Sequence, residues 1–264
     1  MTLLDIDGTQ NFRDTGGIAL AGGGVSRSGV FYRSEGLNAL TDEGVEQLAT
    51  TPIGVIIDLR TDAERGMAPD RLPATRPFDV VELPLLEGAA TGMAKGVMGG
   101  ADPEAAKSAI AAAMATIPAL SELYVSMLQS SARAFAVVAR RVAASHDDEP
   151  TAVVVHCTAG KDRTGVAIAL VLDAIGADRD AVVADYASSA GYLAGPWADR
   201  MRAMVTGMGV PLTEQIDELL TQTPASAIET ALAWVDAQGG STAYLRSGGL
   251  TDDELASLRR RLTV

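Results

Sequence analysis

Residues 152–176 read AVVVHCTAGKDRTGVAIALVLDAIG: an apolar run, a loop of small and charged residues, and a second apolar run. The first run has the length and the valines of a buried strand. The second run is apolar nearly all round, which predicts a central helix that ends near Gly176. Open α/β sheets bind their ligands where such a strand leads into such a helix. The loop between the two runs is therefore the predicted functional centre.

Other segments supply the rest of a mostly parallel sheet. IGVIIDLR (53–60) and FDVVELPL (78–85) are typical of strands, and apolar residues recur at helical spacing from Leu120 to about Ser145. Helical patterns then continue to the end of the sequence. This order predicts an α/β fold with flanking helices and a helical C-terminal part, in one domain over residues 1–264. Residues 87–117, rich in Ala, Gly and Met, are predicted to form a helical lid or an insertion.

The bulk composition excludes several classes of protein. The chain has 21 basic and 34 acidic residues, and a net charge of −13 disfavours binding of nucleic acid or of an anionic membrane through bulk charge. Its single cysteine cannot form an internal disulfide. The sequence shows neither a basic leader with an apolar segment nor an apolar run of about 20 residues. We therefore expect a cytoplasmic protein without stable membrane insertion.

The loop has the composition of an anion site. Arg163 follows Cys157 by six positions, and its planar guanidinium can hold two phosphate oxygens at once. Lys161 supplies a second positive charge. The small residues between Cys157 and Lys161 allow successive backbone N–H groups to turn inward and form a nest for an anion. These small residues are Thr158, Ala159 and Gly160.

Cys157 lies where a negative sulfur would be stabilised. Inward backbone amides, a helix start and Arg163 all favour the thiolate form. A thiolate at the floor of a phosphate cradle is a nucleophile directed at phosphorus. Thr164 follows at a position from which its hydroxyl could donate to that sulfur.

A proton must also reach the departing oxygen of a substrate. Asp162 is the first candidate for this general acid, because it lies inside the loop, next to Arg163. Asp70 is the rival candidate, and Asp62 is a weaker one.

Residues around the loop have plainer interpretations. His156 is interpreted as a structural residue that hydrogen-bonds behind the cysteine, since no second metal-type ligand stands near it in the sequence. Asp58 and Arg60 could either brace the loop or form an ordinary ion pair at a strand end. Tyr124 could border the pocket. Helix or core roles are expected for the methionines, Trp197 and Trp234.

Three other interpretations compete with a cysteine nucleophile that attacks phosphorus. Cysteine is often buried, so Cys157 could be a core thiol. A nucleotide-binding P-loop is disfavoured because Val155 stands where its first glycine should be and Asp162 replaces the Mg²⁺-binding Ser or Thr. A cysteine protease is disfavoured because His146, the other histidine, lies in a polar turn.

The loop also resembles a known family. HCTAGKDRTG has the Cys-x5-Arg pattern of cysteine-dependent phosphatases, and its GKDRTG ending is similar to that of the atypical bacterial protein tyrosine phosphatases, which include tyrosine/serine and lipid phosphatases and have a mycobacterial member. The resemblance extends over most of the chain. It includes NFRDTGG (11–17), FYRSEGL (31–37), IDLRTDAE (57–64), DRDAVVADY (178–186) and AYLRSGGLTDDEL (243–255).

This resemblance implies a phosphatase fold, a cysteinyl-phosphate intermediate, no metal or other cofactor, and inorganic phosphate as a product. Cys157 matches the family's nucleophile and Arg163 its phosphate clamp, while Lys161 and Asp162 match its charged loop pair. An Asp at this position is also similar to the myotubularin lipid phosphatases, where it is a proposed acid. Family members can leave the cell without a cleaved signal.

The substrate implied by the resemblance is a phosphorylated protein or a phosphoinositide. We expect phosphotyrosine as the main substrate and phosphoserine or phosphothreonine as further ones, because the loop has one lysine where the inositide-specific loop HCKAGKGRTG has two. A phosphoinositide phosphatase is the first alternative. A non-catalytic module that binds phosphorylated ligands is the second.

Overall fold

A six-stranded sheet forms the centre of the protein. The computed structural model describes residues 2–85, 118–207 and 210–264. In spatial order the strands are β1, β2, β3, β6, β4 and β5. The last four of these run parallel, and the two short strands pair antiparallel at one edge. The strands are β1 (Thr2–Leu3), β2 (Arg13–Asp14), β3 (Phe31–Ser34), β4 (Ile53–Asp58), β5 (Asp79–Glu82) and β6 (Ala152–His156).

Ten α-helices lie in the described ranges, and most follow the sheet in the sequence. Two short ones connect the early strands: α1 (Asp42–Thr50) and α2 (Asp62–Met67). Two long ones flank β6: α3 (Leu120–Ala143) and α4 (Asp162–Ala174). The others form the helical C-terminal part: α5 (Arg179–Tyr192), α6 (Pro196–Gly207), α7 (Glu214–Thr221), α8 (Ala225–Ala237), α9 (Gly240–Ser247) and α10 (Asp252–Leu262).

The central strand β6 is buried on both faces. Val153 and Val155 point into the larger core, which α3, α4 and α8 help to form, whereas Ala152 and Val154 point into the smaller core beside α1. This alternation follows from the two-residue period of a strand. A strand buried on both sides is held firmly in place, so the loop that follows it starts from a fixed point.

The structure confirms the predicted fold class and the strands predicted at 53–60 and 78–85. The helix predicted from Leu120 is also present, with a kink at Ser131. The lid or insertion predicted at 87–117 lies outside the described residues. The single-domain assignment stays a prediction. No helix among the described residues is long and apolar enough to cross a membrane.

Candidate active site

The loop of residues 157–161 joins the end of β6 to the start of α4. Cys157 is 1% exposed, and the backbone N–H of Gly160 donates to its Sγ over 3.3 Å. Gly160 has a φ of +69°, and a Cβ at this position would come within 2.3 Å of the Ser34 carbonyl oxygen. Only glycine therefore fits the turn that directs this amide at the sulfur.

Two buried side chains fix the direction of the loop amides. Asn11 Nδ2 donates to the carbonyl oxygens of Ala159 (3.1 Å) and Gly160 (3.2 Å), and Arg33 Nη2 donates to Gly160 O over 2.7 Å. In a trans peptide the N–H points opposite to the carbonyl. Because these carbonyls are held on the outer side, the N–H groups of Gly160 and Lys161 must turn toward the inner side. Residues from β3 and from the approach to β2 thus orient the loop as the predicted anion nest requires.

A buried carboxylate holds this support together. Asp185 accepts from Arg13 Nε (3.1 Å) and Arg33 Nη1 (2.6 Å), and Ser189 accepts from both arginines. Burial alone would raise the pKa of Asp185, but the two guanidinium groups lower it overall. Burial and the neighbouring Arg33 lower the pKa of Arg13 to about 10, which leaves Arg13 charged at neutral pH. The cluster therefore stays ionised behind the loop.

Arg163 is held by a carboxylate that the sequence analysis did not identify. Its Nη1 and Nη2 donate to Glu64 Oε2 (2.8 Å) and Oε1 (2.6 Å), so the pair is bidentate. Glu64 Oε1 also accepts from the hydroxyl of Thr158 over 2.6 Å. Burial would raise the pKa of Glu64, but the hydrogen bonds and charge of Arg163 lower it to about 2. Glu64 is therefore a carboxylate at neutral pH and orients the guanidinium.

Lys161 lines the same cavity as Cys157, but its ammonium group is bound at α7 instead of being left for a phosphate as predicted. Its Nζ donates to the carbonyl oxygens of Leu219 (2.7 Å) and Gln222 (3.1 Å), and it lies 3.4 Å from Asp162 Oδ1. The first two acceptors are at the C-terminal end of α7, where unpaired helix carbonyls favour a cation. Lys161 thus ties the loop to α7, and a phosphate-binding role of Arg163 stays a prediction.

The predicted bond between Thr164 and the sulfur is also absent from the structure. Thr164 Oγ1 is buried and has no hydrogen-bond partner, while the Sγ of Cys157 accepts from Gly160. α4 begins at Asp162, so Thr164 lies inside the first helical turn. In this state the amide of Gly160, and not the Thr164 hydroxyl, stabilises the sulfur.

Asp162 is linked to two tyrosines. Tyr124 Oη donates to Asp162 Oδ1 over 2.5 Å and lies 2.7 Å from Tyr186 Oη. Burial, together with the negative charge of Asp162, raises the pKa of Tyr124 well above 10. Tyr124 therefore stays protonated and serves as the donor. The sequence analysis placed Tyr124 at the pocket but did not identify Tyr186.

The ion pair predicted between Asp58 and Arg60 is present at the end of β4. Arg60 donates from Nε and Nη2 to both oxygens of Asp58, and its Nη2 lies 2.8 Å from Asp70 Oδ2. His156 lies beside this group: its Nε2 is 3.3 Å from Asp70 Oδ2, and its Nδ1 is 3.3 Å from Cys157 O. The ion-pair interpretation of Asp58 and Arg60 is therefore confirmed, whereas a role in bracing the loop stays a prediction.

His156 has metal-type ligands near it in space, although none stands near it in the sequence. Asp58 and Asp70, distant in sequence, bring carboxylate oxygens to within 4.8 Å of its ring. The guanidinium of Arg60 already pairs with both carboxylates. A cation of the protein itself thus occupies the position between them, and the donor set fits an ion-pair network better than a metal site.

The rival acids are poorly placed. Burial would raise the pKa of Asp70, but His156 and Arg60 lower it overall, and Leu37 N–H donates to its Oδ1. The side chain of Asp62 is 91% exposed and pairs with Arg65. His146 is exposed in the turn after α3. None of the three lines the cavity above Cys157.

A cavity of about 250 Å³, which we call the cysteine cavity, opens above the loop. Cys157, Asp162 and Arg163 all line it, and Tyr124 borders it as predicted. Apolar walls come from α3 and α6, and their residues include Leu123, Met127, Trp197, Met201 and Met204.

Trp197 also packs on Ala159. Helix or core roles were expected for Trp197 and the methionines, and Trp197 and Met127 do lie buried on helices, but they also form part of the cavity wall. Trp234 packs edge-on against Tyr244, as expected.

Comparison with known proteins assigns the site to a family. Residues 4–264 match the model of the tyrosine phosphatase family. The chain belongs to this family. A tyrosine-protein phosphatase of Nostoc commune is 34% identical over 236 residues, which cover 88% of this chain and 74% of the relative. The triple specificity protein phosphatase PtpB of Mycobacterium tuberculosis is 32% identical over 203 residues, which cover 72% of this chain and 70% of PtpB.

A crystal structure of P. aeruginosa TpbA is similar at a TM-score of 0.33 and 16% identity, over 73% of this chain and 87% of TpbA. The fold assignment rests on the family match and the sheet topology. As a member of the tyrosine phosphatase family, the protein is a hydrolase, which confirms the enzyme class predicted from the loop. The resemblance found in the sequence is confirmed as well.

Proposed function

We propose that this tyrosine phosphatase hydrolyses phosphotyrosine in two steps at Cys157, with Asp162 as the general acid and then the general base. One observation carries the proposal. The sulfur lies at the floor of a cavity that Asp162 and Arg163 also line, and a backbone N–H already donates to it. A nucleophile, an anion-binding group and a proton donor thus face the same space.

In the first step, Cys157 Sγ attacks phosphorus and the bond from phosphorus to the tyrosine oxygen breaks. Inward N–H groups of the loop and the Arg163 guanidinium would hold the phosphoryl oxygens. Asp162 would protonate the leaving oxygen. In the second step, water attacks phosphorus, the bond between sulfur and phosphorus breaks, and Asp162 takes the proton from water. Inorganic phosphate then leaves.

Two features favour an aryl phosphate as substrate. Cys157 is 1% exposed, so the phosphorus must be carried to the cavity floor on a long side chain. The walls are apolar and include Leu123, Met127 and the ring of Tyr124, which suit an aromatic ring better than a sugar or an inositol. Phosphotyrosine meets both requirements, whereas phosphoserine and phosphothreonine are shorter and are expected to react more slowly.

The substitution Cys157→Ser tests the mechanism. We expect it to abolish turnover of p-nitrophenyl phosphate while binding of a phosphotyrosine peptide, measured by calorimetry, persists. Mass spectrometry of acid-quenched wild-type enzyme should find a phosphoryl group on the peptide that carries Cys157. Turnover by the Ser variant would exclude this nucleophile. Peptide binding without any turnover by the wild type would instead identify a non-catalytic binding module.

A further inference from the structure

A second cavity, of about 480 Å³, adjoins the cysteine cavity. Thr158 and Glu64 line both cavities, and so do Trp197, Met201 and Met204 of α6. The two cavities are therefore neighbouring parts of one cleft between α6 and the phosphate loop. When the phosphate of a substrate lies at Cys157, the parts of that substrate outside the cysteine cavity can enter the second cavity.

The lining of the second cavity suits a peptide. Met67 and Met204 line it with side chains that are 80% and 48% exposed. Exposed methionines are flexible, polarisable contacts that adapt to different apolar groups. Gln10 and Asn38 also line it, and among the described residues their side-chain amides have no hydrogen-bond partner. Such amides can pair with the backbone of an extended segment.

Arg200 gives this cavity a positive charge that has no ion-pair partner in the described part of the chain. The other charged side chains of the lining are already engaged: Arg60 with two carboxylates, Glu64 with the loop arginine, and Glu35 with backbone N–H groups. Arg200 is exposed and makes no ion pair or hydrogen bond with the described part of the chain. It lines the second cavity but not the cysteine cavity.

We propose that the second cavity binds the residues that flank phosphotyrosine in a peptide substrate and selects an acidic side chain through Arg200. The methionines would cover the aliphatic part of that side chain. The inference rests on the function proposed for the cysteine cavity. A peptide is favoured over an anionic membrane because the chain carries a net charge of −13, which repels such a surface.

The test is a series of phosphotyrosine peptides in which one Glu, or Gln as its neutral match, is placed at each position from three before to three after the phosphotyrosine. At one or two positions we expect the wild type to prefer Glu over Gln about threefold to fivefold in kcat/KM, as a solvent-exposed ion pair allows. The Glu/Gln ratio cancels any general change in catalysis. Arg200→Ala should bring the ratio to one, and Arg200→Glu should reverse it and favour Lys.

Arg260→Ala is the matched control. Arg260 is an exposed arginine on α10 whose side chain contacts Ser257, so this variant removes the same charge away from the cleft. It should keep the Glu/Gln ratio of the wild type. A ratio of one in the wild type, or a ratio that survives Arg200→Ala, would overturn the proposal. The proposal would also be overturned if Arg200→Ala lost turnover only with phosphoinositide vesicles, because the occupant of the second cavity would then be a lipid.

Measurements of peptide binding can distinguish a failure of this inference from a failure of the proposed function. Peptide affinities measured on Cys157→Ser report the cleft without turnover. Suppose that the Glu preference depends on Arg200 in this background while the wild type lacks turnover. This result would support peptide binding in the second cavity and reject the proposed catalysis at Cys157. Normal turnover with no Glu preference, in either the kinetic or the binding assay, would reject only the peptide-binding role of the second cavity.

Discussion

Tyr124 Oη donates a 2.5 Å hydrogen bond to Asp162 Oδ1 and lies 2.7 Å from Tyr186 Oη. A short, direct hydrogen bond restricts the direction of both side chains that form it. Tyr124 therefore orients the proposed proton donor without touching the phosphate.

Tyr124→Phe should lower kcat for phenyl phosphate, whose leaving oxygen needs a proton, more than kcat for dinitrophenyl phosphate. Asp162 loses the hydrogen bond that directs its carboxyl group, so we expect kcat for phenyl phosphate to fall about tenfold. Tyr186→Phe is the matched control, because Tyr186 hydrogen-bonds to Tyr124 and not to Asp162, and it should lower kcat less. Equal kcat values of Tyr124→Phe and the wild type for phenyl phosphate would show that this hydrogen bond does not position the catalytic proton.

Asp162→Asn should slow the reaction according to the leaving group. With phenyl phosphate, whose leaving oxygen needs a proton, we expect kcat to fall about 100-fold to 1000-fold. With a leaving group that departs readily as an anion, such as a dinitrophenolate, the loss should be much smaller. Asp70→Asn provides the comparison, since Asp70 lies behind the loop with Arg60. If Asp70→Asn and not Asp162→Asn shows the leaving-group dependence, the general acid has been misassigned.

The strand, loop and helix around Cys157 could be predicted because their signals are local. An apolar run of valines, a loop of small residues and an all-apolar helix leave few alternative folds. The direction of single side chains could not be predicted in this way. Lys161 and Arg163 are two positions apart, carry the same charge and line the same cavity, yet the first binds carbonyl oxygens at the end of α7 and the second binds Glu64. Charge and spacing do not show which way a side chain leaves the backbone.

Glu64 was missed because its partner is 99 positions away in the sequence. A signal was nonetheless present. β4 and β6 were both predicted as strands of a parallel sheet, and the helix that follows β4 starts near the edge where the loop after β6 lies. The capping box in TDAE, Thr61 to Glu64, marks that helix start. A carboxylate there could have been proposed as the partner of the loop arginine.

Glu64→Gln should weaken substrate binding. The neutral amide keeps the size of the side chain but cannot hold Arg163 as a charged bidentate partner, so the guanidinium loses its fixed direction. We expect kcat/KM for p-nitrophenyl phosphate to fall about tenfold, consistent with the loss of one charge-assisted contact. An increase in kcat/KM would show instead that Glu64 competes with the substrate phosphate for Arg163.

The same substitution should change stability in acid. The pKa of Glu64 is about 2 in the folded protein, against an ordinary value of 4.5. A carboxyl with a lowered pKa stabilises the fold above the unfolded value and loses that contribution as the pH falls through the folded value. The wild type should therefore exceed Glu64→Gln by on the order of 2 kcal/mol in free energy of unfolding at pH 5. Urea titrations should show this difference shrinking between pH 4.5 and 2, whereas a constant difference would exclude the linkage.

Asn11→Ala should disable the anion nest while leaving the nucleophile in place. Without Asn11, the Ala159 carbonyl loses its side-chain donor and the Gly160 carbonyl keeps only Arg33, so the N–H groups that follow them are less firmly turned inward. We expect KM for p-nitrophenyl phosphate and the inhibition constant of inorganic phosphate to rise together, by about tenfold, as loss of a buried hydrogen bond predicts. Thr15→Val is the matched control, because it removes another buried side-chain bond, to Phe31 O, in the same sheet. It should lower the melting temperature without changing either constant. If both variants raise the two constants equally, Asn11 acts through general stability and not through the direction of the loop amides.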